Sequence, residues 1–91
     1  MAKLSPGQIK EALAKIPEWK KKGAAITRTY EFEDFVPAIK FVNAVARIAE
    51  KRQHHPDIDV RWNKVALTLT THDESGLTEK DFAAAEQFDR L

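Results

Sequence analysis

The sequence predicts an α+β fold, a four-stranded antiparallel sheet with three helices packed on one face. Three segments carry apolar residues at helical spacing, and the segments between them are paired runs of β-branched, aromatic or alternating residues. Their order along the chain is helix, hairpin, helix, hairpin, helix. Hairpins that alternate with helices in this way are typical of an antiparallel sheet with its helices on one side, here in one domain of 91 residues.

The first helix is expected over residues 5–16. Ser5 is a favourable N-cap, and Pro6 falls at the first helical position, where its missing N–H costs nothing. Pro17 ends the helix. One apolar face is expected, formed by Ile9, Ala12, Leu13 and Ile16.

A hairpin follows the first helix. Its turn is predicted at Lys22-Gly23, because glycine tolerates a positive φ. Residues 25–33 are rich in β-branched and aromatic types and are therefore expected to form a strand. Trp19, which precedes the lysines of the hairpin, is expected in the core.

The second helix is predicted over residues 35–52. Asp34 is a suitable N-cap, and Pro37 falls in the first turn, where proline is tolerated. A wide apolar face is expected, formed by Phe35, Ala38, Ile39, Val42, Val45, Ala46 and Ala49, with Phe41 and Ile48 at its margin.

The second hairpin is predicted from alternation of apolar and polar residues in two short runs. A turn at Asn63-Lys64 would pair residue 62 with 65, 60 with 67 and 58 with 69, so that six apolar residues share one face. Trp62 is therefore also expected in the core.

The last helix is predicted over residues 79–90. Thr78 and Asp81 form an acidic variant of the capping box, and Leu77 and Phe82 are spaced as a hydrophobic staple. The residues expected to point inward are Phe82, Ala85 and Phe88.

Composition excludes several classes of function. Basic and acidic residues number 15 and 14, a balance that argues against a protein whose main role is to bind nucleic acid. The chain has no cysteine, which excludes disulfides, zinc–thiolate sites and a thiol nucleophile and predicts an intracellular, cytoplasmic protein. No apolar run approaches the ~20 residues of a membrane span, and no signal-peptide pattern follows Met1.

The three histidines are the strongest candidates for chemistry. Extending the predicted hairpin register past Pro56 sets His55 opposite His72, so two distant parts of the sequence are expected to meet at one end of the hairpin. Carboxylates lie nearby at Glu50, Asp57, Asp73 and Glu74. Histidine titrates near neutral pH, so a histidine cluster can donate one proton and accept another in a single reaction.

Other interpretations of these residues are weaker. Histidines and carboxylates could bind zinc, but adjacent side chains at His54 and His55 point to opposite sides of an extended segment, so no metal is expected. Lys20–Lys22 is expected to be a solvated hairpin rather than a nucleic-acid patch. Ser75 lies near His72 but lacks a nucleophile elbow, and no glycine-rich phosphate loop is present.

Three motifs at these spacings carry a family resemblance: His54-His55-Pro56, Thr71-His72 and Gly76-Leu77-Thr78. The remaining matches are Trp19, Phe32-Glu33-Asp34-Phe35, Ala38, Phe41, Val45-Ala46, Ala49-Glu50, Asn63-Lys64-Val65, Leu69 and Asp81. With these residues the whole chain resembles the pterin-4a-carbinolamine dehydratases. Some members have an aromatic residue soon after the His-His-Pro, where this chain has Ile58, so one stacking contact is in question.

The resemblance implies an activity and a set of roles. The activity is dehydration of 4a-hydroxytetrahydropterins to quinonoid dihydropterins, which recycles the cofactor of aromatic amino acid hydroxylases, with no metal or organic cofactor. His54 and His72 would act as general acids on the leaving 4a-hydroxyl, and His55 would hold the pterin and accept the N5 proton. Glu50 would support the histidines. The pterin site would be lined by Gln53, Thr70, Thr71 and Asp73.

Self-association is also expected. A chain this short buries only about 60–65% of its unfolded surface, so a partner surface at a helix or an exposed sheet edge would compensate for the small core. The resemblance implies a homodimer or homotetramer. The alternative to an enzyme is a non-catalytic dimerisation, regulatory or assembly-factor module on the same fold, which would use surfaces and not histidines.

Overall fold

The secondary structure follows the predicted order of helices and hairpins. A computed structural model describes residues 3–91. Its elements are α1 (Pro6–Ala14), β1 (Lys20–Lys22), β2 (Ala25–Glu31), α2 (Phe35–Arg52), β3 (Asp57–Arg61), β4 (Lys64–Leu69) and α3 (Glu79–Asp89), with a 3₁₀ turn (His72–Glu74) before α3. The strands form one antiparallel sheet in the order β1-β2-β4-β3. The α+β prediction with four strands and three helices is therefore confirmed.

The core lies between the helices and one face of the central strands. Ile26 and Tyr30 of β2 and Val65, Leu67 and Leu69 of β4 are buried against side chains of the three helices. The helix side contributes Ile16, Ala38, Phe41, Val45, Leu77, Phe82, Ala84, Ala85 and Phe88 to the same cluster. Trp19 is buried with them, as predicted.

The first helix is shorter than predicted. Ser5 caps it as expected: its Oγ accepts from Gln8 N at 3.2 Å, and Gln8 Oε1 accepts from Ser5 N at 2.8 Å. The helix ends at Ala14, because the residue before Pro17 is sterically biased away from helical geometry. Ile16 is nevertheless buried, since two tighter turns after the helix direct it into the core.

The buried face of α2 is narrower than predicted and is centred differently. Phe41, expected at the margin, is buried, and its ring lies 4.5 Å from the ring of Tyr30 and 5.1 Å from that of Phe32. Phe35 is 46% exposed and Ala46 is also exposed. The rings of Tyr30 in β2 and Phe32 just after it pack against Phe41. The buried face is therefore formed by Ala38, Phe41, Val45 and Ala49, and Phe35 lies outside it.

The register of the second hairpin differs from the prediction by two residues. Val60 pairs with Val65 and Ile58 with Leu67, and the turn is Trp62-Asn63. Lys64 cannot belong to the turn because it pairs with Glu31 of β2. A shift of two residues keeps every side chain on its predicted face.

Trp62 was predicted in the core, and this was wrong. It is the first residue of the turn, has a positive φ of 51°, and is 65% exposed. Its neighbour Asn63 fixes the turn instead: the Asn63 side chain donates to Phe32 O, and Phe32 N donates to Asn63 O. These bonds between the turn and the end of β2 leave Trp62 on the surface.

A carboxylate at the end of α3 ties the helix to the first hairpin. Asp89 Oδ1 accepts from Trp19 Nε1 at 2.9 Å, from Arg28 Nη1 at 2.8 Å and from the Tyr30 hydroxyl at 2.5 Å. Burial raises the pKa of Tyr30 above its ordinary value, and its hydrogen bond to Asp89 raises it further.

The raised pKa of Tyr30 predicts alkaline destabilisation. The unfolded chain loses this proton near pH ~10 while the folded chain keeps it, so the stabilisation is complete below that pH. Above it, the free energy of unfolding should fall by about 1.4 kcal/mol per pH unit. Urea unfolding across this range measures the slope, and Tyr30→Phe should flatten it. Tyr30 is the single tyrosine, so tyrosinate absorbance appearing at pH ~10 in a still folded protein would contradict the prediction.

Candidate active site

Two of the histidines, His54 and His55, lie just after the C-terminus of α2. Gln53 has left-handed backbone geometry (φ 53°, ψ 40°), which stops the helix. His54 N donates to Ala49 O at 3.1 Å and Gln53 N donates to Glu50 O at 3.3 Å, the two bonds of a Schellman motif. This turn redirects the chain so that His54-His55-Pro56 leads directly into β3.

The third histidine, His72, lies in the segment that follows β4. Thr71 and Gly76 form an isolated bridge, with Thr71 N donating to Gly76 O at 3.0 Å and Gly76 N donating to Thr71 O at 3.3 Å. The bridge closes a loop that contains the 3₁₀ turn and Ser75, whose φ is 55°. His72 and Asp73 are held on this loop beside the end of α2.

A single cavity of about 210 Å³ joins the two segments. It is lined by Gln53, His54, His55, Thr70, Thr71, His72, Asp73 and Lys80. The structure thus brings together the three histidines and all four residues expected to line the site. Glu50 does not line the cavity, and Lys80 is an addition.

The histidines meet for a different reason than the sequence indicated. The predicted ladder set His55 opposite His72, but β3 begins at Asp57, which pairs with Thr68, and His72 lies in the 3₁₀ turn. The left-handed turn at Gln53 and the bridged loop after β4 bring the segments together. Neither feature has a distinctive sequence signal, because both left-handed positions are occupied by residues other than glycine.

Asp81 orients His54. His54 Nε2 donates to Asp81 Oδ1 at 2.6 Å, and the side chains are 11% and 0% exposed. Asp81 Oδ2 accepts from Thr71 Oγ1 at 2.8 Å and from Thr78 N at 2.9 Å. Because a carboxylate only accepts, Nε2 carries a proton and Nδ1 is left as the ring atom that can exchange one with a ligand.

The sequence predicted that Asp81 caps α3 but not that it contacts His54. The predicted capping box is present, and the backbone N–H of Thr78 binds one carboxylate oxygen. The second oxygen is free to bind another group, and here that group is His54. One sequence pattern could have indicated this contact: a carboxylate capping residue that follows a histidine-bearing loop.

His55 and His72 are in a different environment from His54. His55 Nε2 donates to Glu50 Oε2 at 2.5 Å, and the side chains are 55% and 73% exposed. His72 is exposed on the loop after β4. Glu50 therefore supports His55, whereas the carboxylate that holds His54 is Asp81. The site combines one oriented, nearly buried imidazole with two that face the cavity and solvent.

Lys80 places a positive charge on the cavity wall. It lies in the first turn of α3, one residue before Asp81, and lines the same cavity as Asp73 and His72. Its ammonium can donate up to three hydrogen bonds to a ligand. No sequence motif marks a lysine at this position. Predicting that Lys80 lines the cavity would have required knowing that the start of α3 faces the loop after β4.

Residues 3–91 contain neither a metal-binding cluster nor a helix that could span a membrane. There, no group of three or more histidine, aspartate or glutamate side chains is arranged to hold a metal ion. None of the helices described in that range is both long enough and apolar enough to cross a bilayer.

Known proteins similar to this chain cover its whole length. A relative from Acidobacterium capsulatum, provisionally named a pterin-4-alpha-carbinolamine dehydratase, is 52% identical over 91 residues, covering 100% of this chain and 99% of its own. A relative of the same provisional name from Chloroflexus aurantiacus is 50% identical over 91 residues, with 100% and 98% covered.

Solved structures agree with this fold. The crystal structure of a transcriptional coactivator/pterin dehydratase from Brucella melitensis has a TM-score of 0.93 and 38% identity, covering 97% of this chain and 96% of that one. A pterin dehydratase-like protein identified as a RuBisCO assembly factor shares the fold, with a TM-score of 0.67 and 23% identity over 79% and 83% of the chains. The family model described as pterin 4 alpha carbinolamine dehydratase matches residues 2–91, and with the relatives at about half identity it shows that this chain belongs to that family.

Proposed function

We propose that this chain catalyses dehydration of a 4a-hydroxytetrahydropterin to the quinonoid dihydropterin. The observation that carries the proposal is the cavity in which His54, His55 and His72 converge from two distant segments of a dehydratase-family chain. This reaction needs one proton delivered to oxygen and one removed from nitrogen, which histidines accomplish near neutral pH.

The mechanism is an acid–base elimination of water. A protonated imidazole, His54 or His72, donates a proton to the 4a-hydroxyl as the C4a–O bond breaks. His55 accepts the N5 proton, and the electron pair of the N5–H bond forms the C4a=N5 double bond. Water and the dihydropterin leave, with no change in oxidation state. His55 Nε2 donates to the Glu50 carboxylate, which leaves His55 Nδ1 as the ring atom that accepts the proton.

The cavity supports this division of roles. His54 is fixed by Asp81 and can present Nδ1 in one orientation, as positioned general acids require. Thr71, whose hydroxyl also binds Asp81, lines the cavity beside it. We propose that Gln53, Thr70, Thr71 and Asp73 contact the pterin, whose ring carries both donors and acceptors, and that neither metal nor organic cofactor takes part.

The direct test is turnover of chemically generated 4a-hydroxytetrahydropterin. The protein should accelerate the absorbance change that accompanies dehydration, above the rate in buffer. An equal rate with and without the protein would refute the activity. Retention of full activity after removal of the cavity histidines would refute the site while leaving the activity intact.

Lys80 is predicted to contribute to binding more than to catalysis. Its ammonium on the cavity wall can donate to the pterin, and a lost hydrogen bond to a charged group costs enough to raise KM about tenfold. We expect Lys80→Met to raise KM by that factor with kcat within about twofold of the wild type. Lys51→Met, at the exposed end of α2, is the matched control. An unchanged KM for Lys80→Met would contradict the assignment.

The second candidate is a non-catalytic dimerisation, regulatory or assembly module. The observation that favours it is the Brucella melitensis protein, described as both a coactivator and a pterin dehydratase, which is 38% identical to this chain. A stoichiometric partner captured from native lysate, together with no pterin turnover, would favour this candidate. The enzyme is favoured because such a module does not need three histidines around one cavity.

The remaining parts of the proposal concern the setting of the reaction. We propose that the chain works in the cytoplasm in tetrahydropterin recycling, as a homodimer or homotetramer. The absence of cysteine agrees with a reducing compartment. Sedimentation at micromolar concentration that shows only a monomer would contradict the oligomer.

A further inference from the structure

A second cavity adjoins the loop that carries His72. Its volume is about 320 Å³, within the ~300–1,000 Å³ of small-molecule sites. Its walls come from the segment that leads into α1, from the turn of the first hairpin and from residues 75–77. We call it the lysine cavity, after Lys3 and Lys21 on its wall. No described residue lines both it and the cavity of the three histidines, so the two are separate.

Two contacts fix the N-terminal wall of the lysine cavity. Leu4 N donates to Leu77 O at 2.9 Å, which holds the start of the described chain beside the loop after β4. The aliphatic stem of Lys3 then lies across Gly76, so closely that a Cβ at residue 76 would be 2.5 Å from Lys3 Cδ. Because glycine leaves room for this stem, the wall is formed before any ligand binds.

The interior of the lysine cavity is mainly apolar. Leu4, Pro6 and Ile9 line it from the N-terminal side, and the buried Leu77 lines it from the loop after β4. Lysine stems are themselves apolar, so Lys3 extends this surface with its methylene groups. An apolar group that displaces water from these side chains gains free energy of binding.

The charge on the wall has one sign. Two lysines, Lys3 and Lys21, line the cavity, and no described carboxylate does. Lys21 pairs with the buried Ile26 and shares its face of the sheet, whereas Lys20 and Lys22 alternate to the opposite face. In the described part of the chain neither ammonium of the cavity forms an ion pair. Apolar walls with two lysines are complementary to an anion that carries an apolar body.

We propose that the lysine cavity binds a small amphiphilic anion, a compact apolar body that carries one carboxylate. The body lies against Leu4, Ile9 and Leu77, and the carboxylate accepts from the ammonium groups of Lys3 and Lys21. Each ammonium has three donors on a flexible stem, so the pair can follow a carboxylate without a rigid geometry. The site does not rest on the proposed dehydratase activity, because it shares no described residue with the histidine cavity.

Titration with phenylacetate, followed by ¹H–¹⁵N NMR, tests the site. The amide signals of residues 75–77 should shift with a dissociation constant of about 1 mM or below. Phenylacetamide has the same body without the charge, and acetate has the charge without the body. Each should bind at least about fivefold more weakly than phenylacetate. Signals of residues 75–77 that do not shift up to about 10 mM phenylacetate would overturn the proposal.

Two pairs of lysines provide matched variants. Lys3→Met/Lys21→Met keeps the apolar stems and should raise the dissociation constant of phenylacetate about tenfold. Lys20→Met/Lys22→Met removes the same charge from the opposite face of β1 and should change that constant less than about twofold. Equal weakening in the two variants would show a general attraction to surface charge and would overturn the proposal.

The histidine cavity is the competing location for the anion, since it also carries a positive charge, at Lys80. The variants His55→Ala/His72→Ala and Lys80→Met should therefore bind phenylacetate with the wild-type constant and with the same shifts at residues 75–77. Loss of binding in either variant would place the anion in the histidine cavity and would overturn the proposal. None of these results bears on pterin turnover, which is measured separately.

Discussion

Replacing both His55 and His72 with alanine is expected to lower kcat/KM for the carbinolamine by about 10³-fold or more, because each positioned acid or base contributes roughly 10²–10⁴-fold. The two residues lie on different segments and face the same cavity, so the variant removes one proton acceptor and one proton donor. His54 and its partner Asp81 remain in place. The residual rate would therefore report what one oriented histidine achieves alone.

Stability should be almost unaffected in the same variant, which makes the loss of rate interpretable. Both side chains are exposed, and the His55–Glu50 contact is an exposed pair of the kind that contributes little. Urea unfolding should give a midpoint close to that of the wild type. Lys40→Ala, an exposed change on α2 outside the cavity, serves as the activity control. A double variant that stays fully active would exclude His55 and His72 from the chemistry.

The sequence was most informative where local chemistry determines local structure. Ser5, Asp34 and Thr78 were predicted as N-caps from their type and position, and all three cap their helices. Caps depend on hydrogen bonds within a few residues, so neighbours in sequence suffice to predict them. The alternation in β3 and β4 likewise predicted the correct faces.

Properties set by distant contacts were predicted less well. The predicted register of the second hairpin was wrong because Lys64 pairs with Glu31 of β2, which is far away in sequence. The buried face of α2 is centred on Phe41, and not where the sequence predicted, because the rings of Tyr30 and Phe32 pack there. Neither effect leaves a trace in the local pattern, since both depend on which element packs against which.

In the candidate site too, features set by residue type were predicted and features set by distant contacts were not. His54, His55 and His72 stood out by residue type, and their spacing carried the family resemblance. Lys80 and the second contact of Asp81 were missed because they depend on how the start of α3 approaches the loop after β4. The site lies where the ends of α2, β4 and α3 meet, and such a meeting point is a tertiary property.

Asp81 links that meeting point to the stability of the whole domain, and Asp81→Ala is expected to be the most destabilising single change in the site. The carboxylate is fully buried and accepts from His54, Thr71 and Thr78. Alanine would leave three donors without their acceptor and would remove half of the capping box of α3. Breaking a buried charged network of this kind costs about 3–5 kcal/mol, a large part of the stability of a domain of this size.

Denaturant unfolding of matched variants separates this network from a simple effect of charge at a helix end. Glu79→Ala removes an exposed acid from the same first turn and should cost no more than about 1 kcal/mol, the usual interaction of such a charge with the helix dipole. Asp81→Asn keeps the size and one acceptor oxygen and should fall between the two. If Asp81→Asn folds, its kcat should drop while KM changes little, because His54 loses the group that orients it. An Asp81→Ala protein as stable as Glu79→Ala would show that the buried carboxylate is not what joins α3 to the site.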